Sequence, residues 1–537
     1  MMTRPDALQW WQRGSIYHVY PRSFQDANGD GIGDLPGITG RLEYCRWLGC
    51  DAVWLSPIYP SPMADFGYDV ADHTGVDPRF GTLDDFDRLM AEARRLGLRI
   101  LMDYVPNHTS EQHPWFVASR SSRHDPHRHW YVWRDPAPGG GPPNNWLSVF
   151  GGSSWTFDPT TGQYYLHSYL KEQPDLNWRN PEVERAMLDV MRFWLERGVH
   201  GFRIDSVSRL VKDAEFRDNP PNPDYRPGQA PYHQQRATYS ADRPDLLPIL
   251  ARMRQLADRY ADTVLLGEAY LPAARLRAYY GEGRPGLHFP FNFQLIRSPW
   301  DAAAVGSLVE QYEAELPAGL WPNWVLGNHD NHRVATRIGR RQARVAAMLL
   351  LTLRGTPVLY YGDEIGMVDV AVPADRVRDP WEKNVPGLGL GRDPERSPMQ
   401  WDAGPHAGFS TAAPWLPVAG DHRQVNVALQ REDPRSMLSL VRALLAIRAA
   451  HPALFGGRYV PVPSPHPDVM LYRREAENER FLVALNFGGA PREIGLGSPG
   501  ERGSVVVSTL LDRAGEPVET PLCLRPDEGL LLAVGSG

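Results

Sequence analysis

The feature that most constrains the fold is the alternation of short apolar runs with amphipathic helical stretches along most of the chain. Runs such as DAVWLSP (51–57), LRILMDYVP (98–106) and TVLLGEAY (263–270) have the length and continuous hydrophobicity of buried strands. Between them, TLDDFDRLMAEARRLG (82–97) has apolar residues at helical spacing and a capping box at Thr82 and Asp85. Apolar strands that alternate with helices predict a parallel sheet covered by helices on its faces.

About eight such strands follow one another, which favours a closed (β/α)8 TIM barrel over an open doubly wound sheet. The first strand is not followed by a G-x-G-x-x-G turn, so a dinucleotide-binding fold is disfavoured as well. Residues 109–177 are rich in Trp, Tyr, Pro, Gly and Asn and are too long for a plain loop, which predicts an inserted domain. After about residue 456, short strands without helices predict a C-terminal antiparallel β-sandwich domain. We therefore expect a barrel from residues 1–108 and 178–455, an inserted domain at 109–177, and a β domain at 456–537.

Composition narrows the classes of partner and the cellular location. The net charge of the 537 residues is −7, so no basic surface predicts binding to nucleic acid or to an anionic membrane. No apolar run has the length of a transmembrane helix, and the first residues lack the apolar segment of a signal peptide. Three cysteines, Cys45, Cys50 and Cys523, are too few for a disulfide framework. We expect a cytoplasmic protein; the sequence predicts no oligomeric state.

Charged residues stand where several of the predicted strands end. In HGFRID (200–205), Arg203 and Asp205 are two residues apart, so in a strand they point to the same side. Glu268 in LLGEAY and Asp330 in VLGNHD occupy similar places after other strands. A single Asp at such a place is more often a helix cap or a partner in a surface ion pair. In a barrel, however, strand ends meet at one face, so three carboxylates there predict a common catalytic cavity.

Cleavage of a glycosidic bond requires such a set of carboxylates. One carboxyl group must remain protonated to release the leaving oxygen, while a second must be ionised as nucleophile or base. Arg203 beside Asp205 is expected to keep Asp205 ionised. Glu268, next to Leu265 and Leu266 and near like charges, is expected to have a raised pKa and to be protonated.

Five segments also resemble, in order and spacing, the motifs of the α-amylase superfamily of glycoside hydrolases (family 13). They are DYVPNH (103–108), QPDLN (173–177), GFRID (201–205), LLGEAY (265–270) and VLGNHD (325–330). Within the superfamily, the chain resembles the α-glucosidases and oligo-1,6-glucosidases, from about Gly14 to GRDPERSPMQW (391–401). The resemblance implies a (β/α)8 barrel with a domain inserted after strand 3. It also implies cleavage with retention of the α-anomer through a covalent glucosyl-enzyme.

Roles for individual residues follow from the same resemblance. Asp205 is expected to be the nucleophile, Glu268 the acid/base, and Asp330 the third carboxylate, which holds sugar hydroxyls. The expected subsite for the terminal glucose comprises Asp65, Tyr68, His108, Phe150, Arg203, His329 and Arg392. Arg396 lies close to Arg392 in the sequence, so either arginine fits the last of these places.

An oxygen-rich loop near the start, DANGDGIGD (26–34), predicts a site for a hard cation. The side chains of Asp26, Asn28, Asp30 and Asp34 and the carbonyl of Ile32 are candidate ligands. The loop is not an EF-hand, because Gly37 stands where that motif has Glu and no predicted helix precedes it. Gly-Asp loops are also common as turns without metal. The resemblance to α-glucosidases favours a structural Ca2+ or Mg2+ site.

Ser206 follows the expected nucleophile and bears on linkage specificity. In the group that the chain resembles, Val at this place accompanies α-1,6 linkages, and small or hydroxyl residues accompany α-1,4 linkages. We therefore expect an exo-acting α-glucosidase that favours short α-1,4 substrates such as maltose. A glucosyltransferase or a disaccharide isomerase of the sucrose or trehalose type is the alternative, since the acceptor is not encoded in these motifs. A non-catalytic sugar-binding relative is disfavoured because all three carboxylates are present.

Overall fold

The computed structural model describes residues 8–281, 283–317, 319–496, 502–518 and 520–535. The α helices of these residues are α1 (Trp10–Arg13), α2 (Pro21–Phe24), α3 (Leu35–Leu48), α4 (Leu83–Leu96), α5 (Pro114–Ser121), α6 (Pro181–Glu196), α7 (Leu246–Ala257), α8 (Ala273–Tyr279), α9 (Gln294–Arg297), α10 (Ala302–Glu315), α11 (Val334–Thr352), α12 (Pro380–Asn384), α13 (Val427–Glu432), α14 (Met437–Ala450) and α15 (Pro452–Phe455). The strands up to residue 360 are β1 (Ile16–Val19), β2 (Ala52–Leu55), β3 (Arg99–Tyr104), β4 (Trp133–Arg134), β5 (Trp155–Asp158), β6 (Gln163–Leu166), β7 (Gly201–Ile204), β8 (Val264–Gly267), β9 (Phe289–Pro290), β10 (Asn323–Val325) and β11 (Thr356–Tyr360). The later strands are β12 (Arg458–Val462), β13 (Val469–Glu475), β14 (Arg480–Asn486), β15 (Arg492–Ile494), β16 (Arg502–Ser508), β17 (Pro517–Val518), β18 (Leu522–Leu524) and β19 (Gly529–Gly535).

Eight strands form a parallel (β/α)8 barrel, as the sequence predicts. Their order is β10-β11-β1-β2-β3-β7-β8-β9, so β1 lies between the second and the last barrel strand. Each ladder is parallel and in chain order, for example Met102 opposite Phe202 and Phe202 opposite Leu265. Nearly every residue of these strands is buried, because the barrel interior covers one face and the surrounding helices cover the other.

Local sequence signals place the barrel helices correctly. Thr82 and Asp85 form the predicted capping box of α4, and Gly97 ends that helix in the left-handed conformation, at φ 69°. Asn180 caps α6 by accepting a hydrogen bond from the backbone N–H of Glu182. The apolar run HFPFNF (288–293) forms only a short strand: Phe289 and Pro290 pair with β8, and α9 begins at Gln294.

Two further β structures accompany the barrel. Strands β4, β6 and β5 form a small antiparallel sheet between β3 and β7, inside the stretch predicted as an insertion. The C-terminal strands form an antiparallel sheet in the order β12-β13-β14-β19-β16-β17 and a two-stranded sheet, β15-β18. Leu482 and Leu532 from the large sheet share a hydrophobic core with Ile494 and Leu524 from the small one, as in a sandwich. The exact domain boundaries stay a prediction, and residues 497–501, 519, 536 and 537 of the C-terminal stretch lie outside the described residues.

The remaining long segment between β11 and α14 has little regular structure. Residues 365–435 contain the short helices α12 and α13 and several single turns of 3-10 helix. This segment provides Arg392 and Arg396, which contact Asp330 at the carboxyl-terminal end of the barrel, and Asp379, which binds Arg392. No helix among the described residues is long and apolar enough to cross a membrane.

Candidate active site

The barrel brings four carboxylates together at the carboxyl ends of its strands. Asp103 lies in β3, Asp205 and Glu268 directly follow β7 and β8, and Asp330 lies in the loop after β10. Main-chain hydrogen bonds extend the ladders to these positions: Asp205 N–H donates to Tyr104 O at 2.8 Å, and Glu268 N–H donates to the carbonyl of the last β7 residue at 2.9 Å. Because neighbouring strands are in parallel register, their end residues meet side by side.

Arg203 lies at the centre of three of these carboxylates. Its Nη1 is 2.7 Å from Asp103 Oδ1 and 2.8 Å from Asp205 Oδ1, and its Nη2 is 3.0 Å from Glu268 Oε2. The Arg203 side chain is 1% exposed, so solvent contributes almost nothing to its stabilisation. The predicted Arg203–Asp205 pair is therefore present, but the guanidinium is shared rather than dedicated to Asp205.

Burial favours the protonated form of Asp205 and Glu268, and the positive charge of Arg203 favours their ionised form. Burial raises the pKa of Asp205 to about 6, although Arg203 favours the ionised form. Burial also raises the pKa of Glu268 to about 7, and the charges of Asp205 and Asp330 act in the same direction. The expected order of the two pKa values holds, because the pKa of Asp205 is lower than that of Glu268. Arg203 favours the ionised form of Asp205, as expected, but desolvation and the charge of Asp103 outweigh it and leave the pKa of Asp205 above its ordinary value.

Asp330 has a different environment. Arg396 Nη2 donates to Asp330 Oδ1 at 2.9 Å, and Arg392 Nη1 lies 3.3 Å from the same oxygen. Burial opposes ionisation of Asp330, but the charges of Arg392 and Arg396 outweigh it and lower its pKa. The two arginines that the sequence left as alternatives thus both contact this carboxylate.

Tyr68 and His329 form a flat stacked pair beside the carboxylates. Their rings are 5.3 Å apart and nearly parallel, with an interplanar angle of 4°. The Tyr68 hydroxyl donates to Asp103 Oδ2 at 2.9 Å and lies 2.8 Å from His329 Nε2, which is 3.2 Å from Asp330 Oδ2. Burial and the nearby arginines lower the pKa of His329 well below its usual range, so its imidazole is neutral. This arrangement links Asp330 to Asp103 across the pocket.

Asp65 and His108 complete the polar lining on the side of the inserted stretch. Arg392 Nη2 donates to Asp65 Oδ1 at 2.6 Å and to Asp379 Oδ1 at 3.0 Å, and Arg392 Nε donates to Asp379 Oδ2 at 2.8 Å. Gln173 Nε2 lies 3.3 Å from Asp65 Oδ2 and 3.1 Å from His108 Nε2. All of these carboxylate, imidazole and guanidinium groups belong to buried residues, so the network is shielded from solvent.

Two aromatic residues of the inserted stretch, Phe150 and Tyr169, pack beside this network. The guanidinium of Arg392 lies 4.9 Å from the centre of the Phe150 ring, which is 5.8 Å from the Tyr169 ring. The Tyr169 hydroxyl hydrogen-bonds the Ser206 hydroxyl, and Ser206 N–H donates to Glu268 Oε2 at 2.8 Å. The inserted stretch therefore contacts the residue next to Asp205. Buried aromatic faces beside polar groups suit the apolar face of a sugar ring.

Comparison with known proteins agrees with this geometry. The profile of the family described as "Alpha amylase, catalytic domain" matches residues 18–457. The chain belongs to the α-amylase family. It is 42% identical over 500 residues to a probable α-glucosidase of Rhizobium meliloti (strain 1021), covering 90% of each chain.

Two solved structures superpose closely on this chain. One is the α-glucosyl transfer enzyme XgtA, with 42% identity, a TM-score of 0.92, and coverage of 98% of this chain and all of the other. The second is the trehalulose synthase MutB from Pseudomonas mesoacidophila MX-45, with 36% identity, a TM-score of 0.90 and the same coverage. Variants of MutB have also been crystallised with sucrose and with isomaltulose. The chain therefore has the barrel fold of the α-amylase family and belongs to its class of enzymes, the glycoside hydrolases.

All ten residues predicted for catalysis and sugar binding in this member of the α-amylase family meet in one network. They are Asp65, Tyr68, His108, Phe150, Arg203, Asp205, Glu268, His329, Asp330 and Arg392. The predicted set leaves out Asp103, Tyr169 and Asp379, and it offered Arg396 only as an alternative to Arg392. Asp103 stands in the motif DYVPNH at a strand end, so its position was a usable signal. Tyr169 and Asp379 lie in irregular segments whose path no periodicity predicts.

The oxygen-rich loop is tightly tied by its own hydrogen bonds. Asp26 accepts from the N–H groups of Asn28, Gly29 and Gly31 and from the Ser410 hydroxyl. Asn28 Oδ1 accepts from the Asp30 N–H, and Asp30 Oδ1 accepts from the Ile32 N–H. Asp34 caps α3 through the N–H of Gly37 at 2.7 Å and also accepts from the Ala27 N–H. The loop thus presents an all-oxygen set of side chains in a fixed conformation.

Proposed function

We propose that this protein is a retaining, exo-acting α-glucosidase that removes terminal α-linked glucose from short oligosaccharides. One observation carries the proposal: Asp205 and Glu268 contact the two terminal nitrogens of the same guanidinium, at 2.8 and 3.0 Å. A shared guanidinium keeps the two carboxyl groups close, as the covalent route of retaining enzymes requires. The similarity to an α-glucosidase of R. meliloti supports the substrate class.

The reaction follows from the placement of the three carboxylates. The ionised Asp205 attacks the anomeric carbon while protonated Glu268 gives its proton to the leaving oxygen. The glycosidic bond breaks, and the glucosyl group becomes esterified to Asp205. Glu268, now ionised, takes a proton from water, and the water oxygen attacks the anomeric carbon and releases Asp205. Asp330 is kept ionised by two arginines and accepts hydrogen bonds from sugar hydroxyls. Tyr68 provides an aromatic platform for the ring.

Glucosyl transfer or isomerisation is the second candidate, and the structural comparisons favour it specifically. XgtA is described as an α-glucosyl transfer enzyme and MutB as a trehalulose synthase, and both superpose over 98% of this chain. These reactions share the glucosyl-enzyme step and differ in which hydroxyl attacks it. The catalytic network of Asp205, Glu268 and Asp330 serves either outcome, so the acceptor side decides between them.

Product analysis tests the proposal directly. The purified protein is incubated with maltose, isomaltose, sucrose and trehalose at low and high concentration, and the products are separated. We expect glucose from maltose to dominate throughout. New oligosaccharides or isomeric disaccharides as main products would instead establish the transferase or isomerase.

The same assay examines the α-1,4 preference. The Ser206 hydroxyl hydrogen-bonds the Tyr169 hydroxyl, and the Ser206 backbone N–H donates to Glu268, so Ser206 lies beside the residue proposed to protonate the leaving sugar. Replacing the hydroxyl with branched carbons in Ser206→Val should remove the link to Tyr169 and lower the ratio of maltose to isomaltose cleavage by about tenfold or more, a difference near 1.4 kcal/mol. An unchanged ratio would contradict the role given to Ser206.

The pH profile should be a narrow bell. Activity needs Asp205 ionised, so it falls as the pH drops below about 6, where burial has placed the pKa of Asp205. Activity also needs Glu268 protonated, so it falls as the pH rises above about 7. Because the two groups interact, the limbs of kcat/KM against pH belong to the pair. In Glu268→Gln the alkaline limb should disappear; its persistence would assign that limb to another group.

We further propose that the loop at 26–34 holds a structural Ca2+ or Mg2+. The side chains of Asp26, Asn28, Asp30 and Asp34 and the Ile32 carbonyl would hold the ion, and oxygen donors are those that hard cations prefer. A bound ion would offset the repulsion among three aspartates. Ca2+ should raise the Tm of the protein but not of Asp30→Asn, and equal shifts in both would argue against this site. The cytoplasmic location stays a prediction; all three cysteines are free thiols.

A further inference from the structure

A cluster of one imidazole and two carboxylates lies close to Asp330 but has no part in the proposed reaction. His332 Nδ1 is 2.7 Å from Asp369 Oδ2 and 3.8 Å from Glu395 Oε2. All three atoms lie within 4.8 Å of one another. The side chains come from three separate segments: the loop after β10, the loop after β11, and the turn that precedes Arg396.

Glu395 is the unusual member of this cluster. Its side chain is 2% exposed, and among the described residues its Oε2 has no hydrogen-bond partner. The neighbouring Arg396 donates through Nε to the carbonyl of His329 and through Nη2 to Asp330, and its charge offsets only part of the effect of burial on the pKa of Glu395. Burial and the charge of Asp369 both raise the pKa of Glu395. A buried carboxylate that faces a second carboxylate is costly unless a proton or a cation neutralises it.

The geometry suits a cation. Bonds of about 2.0–2.2 Å from a metal to nitrogen and oxygen ligands place adjacent ligand atoms roughly 3 Å apart and opposite ones about 4 Å apart. The distances of 2.7 and 3.8 Å from His332 Nδ1 fall close to that range. The His332 side chain is 51% exposed, so an ion could enter from solvent and retain water ligands on that side.

We propose that His332, Asp369 and Glu395 form a binding site for a divalent first-row transition ion such as Mn2+, Co2+ or Zn2+. An imidazole nitrogen with two carboxylate oxygens favours these ions over Ca2+ and Mg2+, which take oxygen ligands. Asp369 Oδ1 already accepts the Arg333 N–H at 2.9 Å, which orients the carboxylate as an outer partner does in metal sites.

The proposed metal site would connect three segments of the chain that lie around Asp330. His332 is in the same loop as Asp330, Glu395 precedes the arginine that donates to Asp330, and Asp369 accepts from the backbone next to His332. A bound ion would thus join these segments by direct bonds. It is separate from the oxygen-rich loop at 26–34, with which it shares no residue.

Binding of Co2+ provides the test, because ligation by imidazole and carboxylates shifts and strengthens the weak visible absorption of aqueous Co2+. The titration is done with the full chain in excess Ca2+, which occupies the loop at 26–34. We expect one Co2+ per chain, and affinity lower by more than about tenfold in Glu395→Gln and in His332→Ala. Asp30→Asn and His124→Ala, the latter lacking an exposed imidazole outside the cluster, should bind Co2+ as the wild type does.

Two results would overturn the proposal. The first is equal Co2+ affinity in the wild type and Glu395→Gln, which would mean that the buried carboxyl is neutralised by a proton. The second is Co2+ absorption unaffected by His332→Ala. Since His332 is half exposed, its replacement should leave the fold intact, and this variant decides the question even if Glu395→Gln does not fold. A rise in Tm with Co2+ that is present in the wild type and lost in His332→Ala gives a second, independent readout.

Discussion

Replacing Asp205 by Asn should lower kcat/KM by roughly 10⁴- to 10⁶-fold on both maltose and an aryl α-glucoside, the size of effect seen when a nucleophile is removed. An amide cannot form the glucosyl ester, so a better leaving group does not help. The fold should survive, because Asn has nearly the same shape and Arg203 keeps its contacts with Asp103 and Glu268.

A matched substitution separates loss of chemistry from a general effect of Asp→Asn. Asp258 pairs with Arg254 at 2.7 Å near the surface, with 47% of its side chain exposed. Asp258→Asn should retain normal kcat/KM, since an exposed pair of this kind contributes little. Near-normal turnover of the aryl glucoside by Asp205→Asn, with the protein folded by circular dichroism, would refute the covalent mechanism.

Replacing Glu268 by Gln should have an effect that depends on the leaving group. Loss of a general acid costs about 10²- to 10⁴-fold where the leaving oxygen needs a proton, as in maltose. A substrate with a strongly acidic leaving group needs little protonation, so its kcat/KM, which reports steps through glucosyl-ester formation, should fall much less. The glucosyl-enzyme should then accumulate, because its hydrolysis still needs the base.

A burst of the leaving group in the first turnover, followed by a slow steady state, is the measurement that reports this accumulation. Glu310→Gln, on the exposed face of α10, should behave as the wild type does with both substrates. Equal losses in kcat/KM on maltose and on the activated glucoside would show that Glu268 acts other than as an acid.

The barrel and most of the site could be predicted from the sequence because both depend on local patterns. Continuous apolar runs gave the strands, and the end of each run located Asp205, Glu268 and Asp330. The pairing of Arg203 with Asp205 followed from a spacing of two. The sharing of Arg203 with Asp103 and Glu268 did not, since those contacts join different strands and depend on barrel register.

Contacts from irregular segments were the least predictable. Arg392 and Arg396 both reach Asp330, because the segment that carries them folds back over the barrel end. The sequence offered them only as alternatives. Tyr169, which contacts Ser206, belongs to the inserted stretch, whose course is set by packing rather than by periodicity. Likewise, the pKa of Asp205 depends on how completely the pocket excludes water, a property of the assembled structure.

The shared guanidinium of Arg203 also bears on the order of events in the proposed reaction. While Asp205 is an anion, its charge raises the pKa of Glu268 and keeps the proton there. Once Asp205 is esterified, that charge is gone, and Arg203 interacts with fewer anions. The acidity of Glu268 then increases just as its task changes from giving a proton to taking one. Formation of the glucosyl ester therefore prepares Glu268 to act as the base in the second half of the cycle.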